Sequence, residues 1–140
     1  MYPKTSLLER KVWEYLNSQS NLLSICEIKD THPNSKAEIP LNKGLLVVSS
    51  VGNPTIGLYI TNQISTPLFR FTGYSPKRSV ARGIQELVLD IWSNYQNLLF
   101  STDNQKLQTV ELEGVIEPTL EKSIELYYAS ALYQFHLTKY

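Results

Sequence analysis

The chain has 140 residues, 42% of them hydrophobic, and 13 Lys/Arg balance 13 Asp/Glu for a formal net charge of zero. That length suits one domain able to bury about two-thirds of its unfolded surface, and a neutral balance lacks the basic field of a nucleic-acid binder. A single cysteine, Cys26, excludes an internal disulfide framework. No apolar run reaches the length of a membrane span and the first residues lack a signal pattern, so a chain made and used without export is expected.

Ser6 followed by Glu9 fits a capping box, and Leu8, Val12, Tyr15 and Leu16 then form an apolar stripe with Trp13 at its margin. Glu9, Arg10, Lys11 and Glu14 take the wet side, which predicts a packing helix ending near Asn17 and Ser18. Residues 21–30 suggest a turn and a short strand over 25–28. From Thr31 to Lys43 the chain is polar, with Pro33 and Pro40, and reads as a long loop.

A β-branched run over 45–51 predicts a buried strand, followed by a turn at Gly52-Asn53-Pro54 and a strand over 55–62 with Ile56, Leu58 and Ile60 on one face. A third strand is expected over 68–72, which would make an antiparallel meander. Gly73 and Tyr74 then read as a turn, with Ser75 as N-cap and Pro76 at the first helical position.

Val80, Ile84, Leu87, Val88, Ile91, Trp92 and Tyr95 recur on one helical face, so a helix is expected to about Leu99. Gly83 lies inside it, and its cost of about 1 kcal/mol against alanine suggests close approach to a sheet.

Residues 101–106 form a polar connection. Val110, Leu112 and Ile116 then alternate with Glu111, Glu113 and Glu117, which predicts a half-buried strand with an acidic outer face and a bulge near Gly114. A loop is expected over 118–123. The last strand places Tyr127, Ala129, Ala131, Tyr133, Phe135 and Leu137 on one face, and Ser130, Gln134, His136 and Thr138 on the other. Spanning about 40 Å, it is long enough to bend or to pair in part with another chain. The order predicts one α+β domain over 1–140, with a mainly antiparallel sheet (a meander plus the long C-terminal strand) and two helices on one face.

Chemistry-bearing residues are sparse. Cys26 with His32 or His136 would need a lowered thiol pKa and an orienting third group, and Cys26 instead lies in an apolar segment where free cysteines pack as small hydrophobes. Two distant histidines and one thiol do not make a metal site, so no metal and no cofactor is expected. Glu111, Glu113 and Glu117 read as a solvated face, since nothing nearby would split their pKa values. Phe69 and Phe71 would be the stacking residues of an RNA-binding sheet, an idea the neutral charge disfavours, and no glycine-rich phosphate motif is present.

Lys77, Arg78 and Arg82 sit on the first turns of the long helix. They can meet an acidic neighbour such as the Glu111/Glu113 face of another subunit. With Tyr128, Gln134 and His136 they make the candidate subunit or partner interface.

The junction at Phe69-Arg70-Phe71 that runs into a helix, and the ending from Leu126 through Leu137 (Leu-Tyr-Tyr-Ala-Ser-Ala-Leu-Tyr-Gln-Phe-His-Leu), resemble the tail terminator, or tail completion, proteins of tailed bacteriophages. The resemblance is one of element order and texture and covers nearly the whole chain. It implies a non-enzymatic virion protein, assembled in the host cytoplasm, that forms a ring, commonly a hexamer, on the last tail-tube ring. Such a ring stops tube polymerisation and docks the head connector or neck protein, with the tail tube protein and the sheath protein as further partners. It implies no membrane contact, no sequence-specific nucleic acid and no catalytic residues. Other readings stand beside it: a different neck or tail-adaptor protein, a non-viral cytosolic interaction module using a sheet edge, or an enzyme built on Cys26.

Overall fold

The amphipathic stripe around Val12 and Leu16 folds as expected. In the computed structural model, which describes residues 5–40, 42–52, 64–65, 67–93 and 105–139, helix α1 spans Thr5–Asn17. A one-turn helix α2, Ser20–Leu23, stands where a turn was expected, and strand β1 follows at Cys26–Lys29. Strand β2 is Gly44–Gly52, β3 is Ile64–Ser65 and β4 is Leu68–Ser75. Helix α3, Arg78–Ser93, leads to the long hairpin of β5, Gln105–Glu121, and β6, Leu126–Lys139. The expected 55–62 strand and the last turns of the expected long helix, Tyr95 included, lie outside the described residues.

All six strands join one sheet. β4 is antiparallel to β2 on one side and to β6 on the other; β3 and β4 follow one another along the same edge of β6, and β5 runs along its opposite edge. An α+β architecture is therefore present, with every pair antiparallel except β1 with β2. The sheet is mainly antiparallel, as expected, with that one parallel pair added. β4 is also the direct neighbour of β2, a pairing the expected three-strand meander did not contain.

The parallel pair explains the long polar loop. Parallel strands cannot be joined by a tight turn, so the chain must travel back along the sheet. Residues 30–43 make that crossover, with a short 3-10 turn at Lys36–Glu38. Its first part lies over the face opposite the helices: His32 Nδ1 lies 2.8 Å from Tyr74 Oη, and Lys36 pairs with Glu125 in the hairpin turn at 3.3 Å. Leu45, Val47, Thr72, Leu126 and Ser130 of this second face are buried.

The other face carries the main core. Phe69, Phe71, Ala131, Tyr133 and Phe135 meet Val12, Leu16, Leu22, Ile84, Val88 and Trp92 from the helices, all of them buried. Trp92 stands at the centre, with ring centroids 5.1 Å from Phe135, 5.3 Å from Tyr15 and 5.6 Å from Phe71.

Gly73 is not in a turn. It continues β4 opposite Leu46 and Ala129, and it is the residue that lets α3 approach. A Cβ built there would lie 2.8 Å from Ile84 Cγ2 and 2.9 Å from Ile84 Cβ. The helix–sheet contact is thus made possible by a glycine in the sheet, and the expectation for Gly83 is reversed: a Cβ on Gly83 meets nothing within 4 Å. Gly83→Ala is accordingly expected to stabilise the fold by about 0.5–1 kcal/mol by removing backbone freedom from the unfolded chain. A urea midpoint that rises with an unchanged slope would show it.

Ser75 ends β4 and its Oγ accepts the Lys77 N–H at 3.0 Å, but α3 begins only at Arg78, so Ser75 and Pro76 do not hold the cap and first helical positions expected of them.

Candidate functional site

The final strand was expected to offer spare length to another chain. Instead β6 is an interior strand, filled by β4 and β3 on one edge and by β5 from Glu121↔Leu126 to Gln105↔Lys139 on the other. The long strand edge without a neighbour among the described residues is that of β5.

Three register shifts interrupt β5, at 107/109, 112/114 and 116/119. The middle one is the bulge expected near Gly114. Each inserted residue changes which side chains face the helices, because alternation along a strand has a period of two. By register, Val110, Leu112, Val115 and Leu120 share the helix side with Tyr133, Ala131 and Tyr127, whereas Ile116 pairs with Ser130 on the second face. Leu112 and Ile116 therefore part company.

They are not half-buried on one face as expected. Leu112 is 51% exposed, Val115 46%, and Ile116 and Leu120 43% each. These are four of the five exposed large hydrophobic residues among those described, the fifth being Val51.

Helix α3 anchors the inner side of this hairpin through a polar residue inside its buried arc. Gln85, buried between Ala81 and Val88, donates from Nε2 to the Ile116 carbonyl at 2.8 Å and to the Ser130 carbonyl at 2.9 Å. Ile116 borders the third register shift, where the ladder is interrupted and carbonyls need another donor. Gln85→Leu keeps most of the volume and strands the buried Ser130 carbonyl and the part-buried Ile116 carbonyl, so a loss of about 1–3 kcal/mol is expected. Amide exchange in β5 and β6 around this site should accelerate in the variant.

The charged candidates separate into local pairs. Arg82 is spoken for within the chain, by Glu117 at 2.9 Å, and Glu111 lies 3.4 Å from His136 Nε2 across the second face. At that distance the His136 nitrogen makes no formed hydrogen bond. The exposed Arg82–Glu117 pair is worth under about 1 kcal/mol and serves to hold α3 against the hairpin.

Lys77 and Arg78 are exposed at the start of α3, and Glu113 is exposed at the middle bulge. Tyr128 packs its ring 6.2 Å from that of Tyr74, and half-buried Gln134 stands opposite Glu111 and Leu68. The structure thus gathers Glu111, Gln134 and His136 on one patch and leaves Lys77 and Arg78 elsewhere. Val115 and Leu120 went unrecognised because a bulge count cannot be read from alternation. Gln85 did leave a signal, a polar side chain within an apolar helical arc.

An open recess of about 440 Å³ lies beside the start of α3, lined by Ile39, Pro40, Pro76, Lys36, Lys43 and Lys77. Two of its three lysines are already engaged, Lys36 by Glu125 and Lys43 by the Leu23 carbonyl at 3.0 Å.

Cys26 does not meet either histidine. Its thiol sits buried under the helices and donates to the Leu22 carbonyl at 3.3 Å, while His32 lies on the opposite face against Tyr74. Burial pushes the thiol up from 9.0 to about 12, against a small opposing pull from Lys43, and burial raises Tyr133 to about 12 as well. The folded chain holds both protons more tightly than the unfolded chain. This contribution to stability is complete below about pH 9 and declines as pH rises towards 12, by about 1.4 kcal/mol per unit for each group in its window. Cys26→Ala should flatten the alkaline limb of a denaturation–pH profile between about 9 and 10, and the native thiol should label far more slowly than the unfolded one.

Among the described residues, no group of three or more His, Cys, Asp or Glu is placed to hold a metal ion, and no helix is long and apolar enough to cross a membrane. No protein-family model matches the chain, and no curated protein matches it.

Proposed function

We propose that the chain is an assembly subunit of a tailed-phage virion. It acts by contact rather than catalysis, forms a ring on the end of the tail tube, ends tube growth and joins the tail to the head connector or neck. The observation that carries this reading is the β5 margin, where four large apolar side chains stand exposed on a 17-residue strand. A lone domain gains nothing by wetting these side chains, three on the helix side and Ile116 on the other, and a partner along the edge gives them a purpose. The element order supports the same reading. An N-terminal helix, a short strand and loop, a strand running into a helix and a long aromatic final strand occur in the order of the tail terminator resemblance, with β5 inserted before the last strand. Hexameric closure, the tail tube protein, the neck protein, the sheath protein and a virion location belong to this proposal.

The experiment is tube growth in the presence of the purified chain. Tail tube protein polymerised with increasing amounts of it should give shorter tubes carrying added density at one end. Tubes of unchanged length with bare ends would refute terminator action. A second reading, an interaction module unconnected with phages, draws on the same exposed margin and would then stand first.

A further inference from the structure

We propose that the outer edge of β5 receives a short, extended, cationic and apolar segment of a partner protein rather than a second copy of β5. The inference rests on the reading of the chain as a subunit that works by contact, and it assigns the non-self partner to this edge.

The backbone sets the length of the occupant. An edge strand presents outward N–H and C=O groups that can pair with an added strand. Here the register shifts divide the edge, leaving regular runs at 109–112 and 114–116 before Pro118 and the last shift. A long strand from another sheet would lose its ladder at each interruption. A short linear segment can pair along one run and stop.

The side chains set its chemistry. Between 109 and 121 the chain carries Glu111, Glu113, Glu117 and Glu121, with no Lys, Arg or Asp. Glu117 pairs with Arg82 within the chain, Glu111 lies 3.4 Å from His136 Nε2 without a formed hydrogen bond, and Glu121 accepts from Ser123 Oγ at 2.9 Å. Glu113 has no ion-pair partner among the described residues and stands at the bulge between Leu112 and Gly114.

In an antiparallel pairing of two β5 edges, residue i of one copy meets j of the other and j meets i. Registers that pair odd with odd positions bring glutamates opposite or diagonal to glutamates, an arrangement that destabilises strand pairs, and the alternate registers set them against Val110, Leu112, Ile116 and Leu120. The opposite edge of the sheet is no better a match, because β1 has only four residues and carries Glu27 as well as Lys29. What fits is a segment alternating Val, Ile or Leu with Lys or Arg. Along the 109–112 run its apolar residues cover Val110 and Leu112, and a cation beside the bulge faces Glu113.

The test uses the full chain and fluorescence anisotropy with a dye-labelled octapeptide alternating valine and lysine. Its counterparts are a valine–glutamate octapeptide and a valine–lysine octapeptide N-methylated on alternate backbone nitrogens. The valine–lysine peptide should bind saturably and more weakly as salt rises, and the glutamate peptide should not bind. N-methylation and Glu113→Lys should each weaken binding about tenfold or more, with the melting temperature of Glu113→Lys unchanged.

Equal binding of the N-methylated peptide would reduce the effect to bulk charge attraction and overturn the proposal. So would indifference to Glu113→Lys, or hydrogen-exchange protection of β5 in an oligomer of the chain alone. Light scattering on the same samples separates this proposal from the ring. Peptide binding by a monomer keeps the docking edge and sinks the ring, whereas a ring that ignores the peptide does the reverse.

Discussion

Trp92→Ala should be the most damaging single substitution in the chain, costing about 3–5 kcal/mol. The indole is 2% exposed and touches rings from three other elements: Tyr15 of α1, Phe71 of β4, and Tyr133 and Phe135 of β6. Its removal deletes a large apolar surface and leaves a cavity that rigid strands on one side cannot collapse to fill. Domains of this size hold about 5–15 kcal/mol in total, so the variant would sit near the edge of folding. Because α1 meets the core through Tyr15 and Trp92, its docking should loosen first. Trp13, then the only remaining tryptophan, would report that loosening as a red-shifted emission at denaturant concentrations where the sheet persists. Trp92→Phe keeps most ring contacts and should lose much less. Equal stability of Trp92→Ala and wild type would contradict the assigned core.

Gly73→Ala is expected to cost about 2–3 kcal/mol, a large penalty for adding one methyl group. The new carbon would come within 2.9 Å of Ile84 Cβ and 3.4 Å of the Ala81 carbonyl. Neither atom is the free end of a flexible chain, and a β-branched residue in a helix has essentially one rotamer. The helix must therefore lift off the sheet. Gly83→Ala, on the helix rather than the strand, changes stability in the opposite direction. Chemical denaturation of the two variants side by side locates the helix–sheet approach, and the reversed pair of signs would place Gly83 against the sheet after all.

What could be read from the residues depended on how local the information was. The stripes of α1 and α3 and the alternation of β6 are local patterns, and Val12, Leu16, Ile84, Val88, Ala129 and Phe135 are buried as those patterns require. The bulge near Gly114 was also legible, from a break in alternation. The pairing of β1 with β2 was not, because parallel partners are chosen by contacts far apart in sequence and their crossover is an irregular segment with no period of its own. Gly73 was misread as a turn because glycine is ordinarily a breaker. Its reason for being there is Ile84, which lies on another element.

The interface candidates followed the same rule. Glu111, Gln134 and His136 do share a patch, as residues on one face of neighbouring strands must. Arg82, expected to reach another subunit, is occupied within the chain by Glu117. Val115 and Leu120, the residues that most distinguish the β5 margin, were hidden because each register shift reverses the faces that follow it.

The mass and shape of the purified chain, by light scattering with negative-stain imaging, alone and mixed with tail tubes, bear most directly on the claim that this is a ring-forming assembly subunit. A closed ring of about six subunits, or a monomer that becomes a ring on tube ends, is expected. A monomer that stays a monomer and leaves tube ends bare would contradict it.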